Sequence, residues 1–268
     1  MSIKEPIHDG AISDIDLAYS RAALYSALAL GLQPPSDQVL SRLLTAESRS
    51  CLAGAAVMLY PAQQADLISA IEALPNADTT STPELESDYR VLFGHTARGR
   101  ISPYETEYGN EALFQQPQEL GDLMGFYHAF GLTPRQGSHE RPDHVSCECE
   151  FLMFLALKEA YALEQDNREM LAETRKAEKL FLRDHFGRFF PTFVTQLGRE
   201  DPSGFYRKLG ELGLRFVSAE CARLQVLPGA PNLGLRPVDD SRVPMACGNG
   251  TECATLPGAC TPEGDDSV

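Results

Sequence analysis

The chain has 268 residues, 43% hydrophobic and 23% charged, enough to bury a core in one large or two small domains. A formal charge of −15 excludes nucleic acid, which needs a basic face, and favours a cationic partner such as an arginine-bearing peptide. The first twenty residues lack the basic and apolar regions of a secretory signal, and no apolar run is long enough to predict a membrane span.

The pattern predicts helices almost throughout. Ser13-Asp14-Ile15-Asp16 reads as a capped start, followed by Leu17, Arg21, Leu24, Leu28 and Leu32 at helical spacing until Pro34-Pro35 stops the run. Ser36 caps the next segment, and Cys51–Ala65 reads as a buried helix plus turn. Pro61 can begin a further helix through Leu67, Ile68, Ile71 and Leu74. Residues 75–83 are small and polar, a loop, after which Pro83-Glu84 opens a short helix carrying Leu85, Tyr89, Leu92 and Phe93. His95–Asn110 is expected to be an ordered loop. Helical periodicity resumes over Gln118–Leu132 and Val145–Leu163, then over Met170–Phe190 and Pro202–Leu227. No stretch reads as a strand, so the expected class is all-α: an N-terminal segment over 1–12, one helical-bundle domain over 13–227 and an irregular Cys-, Pro- and Gly-containing tail over 228–268.

Two stretches bear chemistry. Tyr89, Leu92 and Phe93 form an apolar–aromatic stripe, and Pro103-Tyr104-Glu105-Thr106-Glu107-Tyr108 sets carboxylates between rings on a loop. Such a surface can grip an arginine by carboxylate pairing and ring stacking; composition alone favours the plainer reading of core-edge tyrosines with solvated acids. Glu140-Arg141-Pro142-Asp143-His144 precedes a helix and brings polar groups to its N-terminus, with His144 open as base, metal ligand or cap. The motifs of phosphate loops and of nucleophile-elbow hydrolases are absent. Glu-x-x-His spacing, which di-iron helices use, occurs only at Glu5–His8, before the first helix. Cys147 and Cys149 point to different sides of a helix. Cys247, Cys253 and Cys260 are weak metal candidates at unfavourable spacing, and seven cysteines spread over the chain suggest reduced thiols in the cytoplasm.

Taken together, Tyr89-x-x-Leu92-Phe93, Pro103 to Tyr108, Gly125-Phe126-Tyr127-x-x-Phe130-Gly131-Leu132, Glu140 to His144, Glu148-x-Glu150-Phe151-Leu152 and Phe181 to Phe193 resemble, in content and order, the TorD/DmsD-type molybdoenzyme maturation chaperones, relatives of the NarJ-type nitrate reductase assembly proteins. The resemblance covers about residues 13–225. It implies a TorD-like helical bundle, not an enzyme, that acts in the cytoplasm on the immature catalytic subunit of a molybdopterin oxidoreductase. Such a chaperone binds the subunit's twin-arginine leader and assists cofactor insertion before export. Carried over, Tyr104, Glu105, Tyr108, Glu140, Pro142, Asp143 and His144 match the family's binding elements; Tyr89, Leu92, Phe93 and Tyr127 complete the expected site. The leader's apolar segment is expected on the Leu120–Phe130 stripe or the Phe186–Phe193 run. No tightly bound cofactor is implied, only transient contact with the molybdopterin cofactor or guanine nucleotide, and the chain is a monomer or dimer. Where the family often has Trp, Phe189 stands here. The alternatives are a metal- or redox-carrying assembly factor working through the tail cysteines, and a small hydrolase using Asp143 and His144.

Overall fold

Serine caps start the first two helices as expected. The Ser13 hydroxyl accepts the Asp16 N–H while the Asp16 carboxylate takes the N–H of Ser13, closing a capping box on α1 (Asp14–Leu32). Ser36 caps α2 (Asp37–Leu43) through the Val39 N–H, after Pro34-Pro35 has ended the first run. The computed structural model describes residues 12–59, 63–94, 99–109, 116–133, 141–201 and 204–236. Glu5–His8, Pro61, Glu140 and the cysteines at 247, 253 and 260 lie outside them.

α3 (Ala46–Met58) and α4 (Gln64–Glu72) follow, then α5 (Thr82–Phe93) and α6 (Gln116–Ala129). α7 (Val145–Glu164), α8 (Arg168–Asp184), α9 (Phe186–Glu200) and α10 (Phe205–Arg223) complete ten helices among the described residues, which contain no strand. One expectation changes at α3. Leu52, Ala55 and Ala56 are buried, but Cys51, Val57 and Met58 face solvent, so this uncharged stretch is only half covered.

α1 makes its most extensive contact with α7, and α7 packs in turn on α8; α10 closes the bundle against α9 and α4. Leu24, Leu28 and Leu32 are buried at the i, i+4 spacing read from sequence, and Tyr25 meets Phe216 edge-on at 4.6 Å. Within this apolar frame sits an ionic cluster carried entirely by helices. Arg21 of α1 pairs with Glu159 of α7, which Arg175 of α8 also reaches at 2.6 Å. Arg223 of α10 bridges Glu178 at 2.9 Å and Glu220 at 3.0 Å, and Glu220 accepts the Tyr25 hydroxyl.

The amphipathic run read as one helix over Met170–Phe190 is two. The chain leaves helical geometry at His185 (φ −122°, ψ −100°) because that side chain turns inward to Glu105, while the hydrophobic period continues undisturbed on both sides. Pro191, inside α9, has no N–H for the carbonyl of Gly187. That carbonyl instead accepts the N–H of Gly229 at 2.9 Å. A Cβ at Gly229 would collide with the Arg188 carbonyl, so only glycine allows this approach. From there residues 229–236 run as a strap across α9 and the 104–109 loop. Thr192 Oγ1 donates to the Ala230 carbonyl and accepts from the Leu233 N–H. Gly109 N–H donates to Gly234 O, and Arg236 N–H to Glu107 O, both at 2.8 Å.

Candidate functional site

The two motif stretches meet. The Glu105 N–H donates to Asp143 O and the Val145 N–H to Pro103 O, laying Pro103–Glu105 antiparallel to Asp143–Val145. Tyr104 and His144 therefore sit side by side, rings 5.4 Å apart. His144 caps α7: its Nδ1 accepts from the Ser146 N–H at 3.2 Å, which leaves the proton on Nε2, 3.4 Å from the Tyr89 hydroxyl. Burial, reinforced by the Arg141 charge, lowers its pKa to about 3, so it is a neutral ring and a weak base at pH 7. Nothing in this geometry suits acid–base catalysis. Among the described residues no group of three or more His, Cys, Asp or Glu could hold a metal ion.

Above these rings opens a cleft of about 630 Å³, lined by Tyr89, Phe93, Tyr104 and His144 with Pro34, Pro35, Pro103 and Gly94. Glu86 and Arg90, both exposed, stand at its edge. Of the residues expected at a site, then, four share one cavity. Leu92, Tyr108, Tyr127 and the two buried acids support it from within. Leu92 packs in the core, and Tyr108 is fully buried, its hydroxyl donating to Ser102 O at 2.7 Å. Tyr127 donates to the carbonyl of Pro142 at 2.9 Å, fixing the turn before His144.

The acids at the centre of the two motifs face inward. Glu105, with no exposure, pairs with His185 and with Arg188, each at 3.1 Å. His185 loses charge stability to burial, but its bond to Glu105 and the nearby Asp122 outweigh this and raise its pKa. Asp143 is equally buried and accepts from the N–H and hydroxyl of Thr106 and, in a fork, from Arg141 Nε (3.0 Å) and Nη2 (2.7 Å). Arg141 also lies over the Tyr104 ring, 4.4 Å from its centroid. Arg236 closes the chain of pairs, donating to Thr106 O at 3.0 Å and to Glu119 at 2.7 Å, while Glu119 lies 3.7 Å from Arg188. Glu148, wholly buried below, finds no hydrogen-bond donor among the described residues; burial and the charges of Glu105 and Asp143 push its carboxyl far above the usual range.

Sequence reading missed Glu86, the two prolines at 34–35 as cleft walls, and the strap residue Arg236. Glu86 could have been found one turn before Arg90 on the stripe helix; Arg236 carries no local signal. The Phe186–Phe193 run is no groove: Phe186, Phe189, Phe190 and Phe193 have no exposed surface and form the core. The α6 stripe does contribute surface, with Phe126 and Phe130 lining a recess of about 490 Å³ against Ala177 and Leu180 of α8.

The chain is similar in sequence to known proteins. The chain is 26% identical over 204 residues to the chaperone protein TorD of Vibrio cholerae, covering 75% of this chain and 90% of that relative. It is 27% identical over 229 residues to the perchlorate reductase assembly chaperone protein of Dechloromonas aromatica, covering 79% and 92%. The selenate reductase assembly chaperone protein of Thauera selenatis is 32% identical over 152 residues, 56% of this chain and 74% of the relative. The family model described as nitrate reductase delta subunit matches residues 59–195, from the end of α3 to the middle of α9. With just over half of its length matched and the site loops inside that span, the chain belongs to the nitrate reductase delta subunit family.

Proposed function

We propose that this chain is a cytoplasmic assembly chaperone, without turnover of its own, for the catalytic subunit of a molybdopterin oxidoreductase. It holds the immature subunit by its twin-arginine leader, keeps the cofactor slot open and delays export until insertion is complete. Family membership and relatives named as reductase assembly chaperones support the class of activity. The observation that carries the mode of binding is the cleft of Tyr89, Phe93, Tyr104 and His144. It is a neutral, proline-walled recess with Glu86 and Arg90 at its edge, on a chain of charge −15. Aromatic walls take an extended peptide by stacking and apolar burial, and the acidic field attracts its basic end. Release requires moderate affinity, on the order of micromolar, about −8 kcal/mol.

Tagged protein pulled from its native cytoplasm is expected to bring down a catalytic subunit that still carries its leader and lacks its cofactor. Tyr104→Ala, at a half-buried position, should lower leader affinity about tenfold with unchanged helix content, as loss of one stacking contact does. Absence of any such subunit under inducing conditions would overturn the reading.

A further inference from the structure

A surface of acids and rings can grip a guest arginine, and the structure contains an arginine in such a grip already. The Arg141 guanidinium meets a carboxylate fork (Asp143), a ring face (Tyr104, 4.4 Å), a hydroxyl (Thr106, 2.9 Å) and a second carboxylate (Glu107, 3.4 Å). Asp143 has no exposed surface, so its fork is a built feature of the interior. A planar cation with several N–H donors satisfies all four contacts together; an ammonium does not. Arg141 itself keeps 43% of its side-chain surface in water, unlike the fully enclosed guanidinium of Arg236. It lies on the ring of Tyr104, a wall of the cleft.

We infer that the Tyr104–Asp143–Thr106 pocket is a guanidinium-binding subsite whose resident Arg141 is a placeholder, displaced by an arginine of the bound partner. This rests on the leader-binding reading for the partner's identity, but the subsite stands on its own contacts. The resident group competes from within the chain, so the apparent affinity for a guest arginine is reduced by the fraction of molecules in which Arg141 is out. An arginine-bearing peptide is then held firmly enough to be retained and loosely enough to be let go. When it leaves, Arg141 returns to the buried Asp143, which is not left unpaired.

The test is titration of the full-length protein with N-acetyl-arginine amide, followed by the ring resonances of Tyr104. An Arg-Arg leader peptide and its Lys-Lys counterpart are titrated in parallel. Arg141→Gln should bind the arginine amide and the Arg-Arg peptide about tenfold more tightly than the natural chain, with the Lys-Lys peptide unchanged. If Arg141→Gln does not fold, Arg141→Lys, which keeps a cation beside Asp143 but loses the fork, should show the same direction at severalfold. Equal or weaker arginine amide binding in a folded variant would overturn the placeholder and make Arg141 a structural tie. Tighter amide binding with no leader binding by any form would uphold the subsite and overturn the leader reading.

Discussion

Two ionic clusters are buried among the described residues, and they differ in what carries them. Around Arg21, Glu159, Glu178 and Glu220 every charge projects from a helix, and the pairs join α1, α7, α8 and α10. Around Glu105 and Asp143 most charges sit on a loop, a pre-helix turn, the break at His185 and the last residue of the strap, with Glu119, Asp122 and Arg188 as the helical members. The first cluster fixes helices that packing already places. The second fixes backbone that no regular hydrogen-bond pattern holds, and the cleft is built on that backbone. Breaking the first should therefore cost stability, and breaking the second should cost the site.

The largest effect is expected from Arg21→Met. Removing one partner of a buried pair leaves Glu159 short of its closest cation, at about 3–5 kcal/mol. Urea unfolding measures this; a loss below about 1 kcal/mol would mean the helix-borne cluster contributes little. Leader affinity per folded molecule should not change. Arg236→Met should cost less, about 2 kcal/mol for hydrogen bonds to a charged donor, and its signature is local. The Gly109 amide, bonded to Gly234 O, should exchange at least about tenfold faster while amides within α1 keep their protection. Uniform loss of protection across the bundle would erase the distinction between the two clusters.

The smallest effect concerns pH. Burial, only partly offset by Arg223, pushes the Glu178 carboxyl up to about 7 from an ordinary value of 4.5. Between those values the folded chain holds a proton that the unfolded chain releases, so stability falls as pH rises through this window and levels off above it. Glu178→Gln should remove that slope, a change on the order of 1–2 kcal/mol between pH 5 and 7.5. An unaltered slope would assign the pH dependence to other groups. His144 has the opposite sign: with its folded value near 3, it withdraws stability as pH falls below about 6.5.

The frame was the more legible of the two regions. Ser13, Ser36 and the Leu24–Leu28–Leu32 spacing declare α1 and α2 because caps and periodicity are local properties. The site was legible as a meeting of motifs, since Tyr104 and His144 do adjoin. Which way its acids point was not. Glu105 turns inward because His185 and Arg188, some eighty residues on, are there to receive it, and nothing near position 105 reports their presence. The same contact hid the break after α8: the apolar period runs straight through Leu182, Phe186 and Phe190, and only Gly187 and Pro191 hinted at it.

Pro191 also orders events in time. By leaving the Gly187 carbonyl to Gly229, it ties α9 to the strap, and the strap in turn ties down Glu107 and Gly109. Translation delivers that strap well over a hundred residues after the loop it secures, a delay on the order of ten seconds at common elongation rates. The loop is not tied down until position 236 has been made, and the bundle itself closes only shortly before, when α10 ends at Arg223.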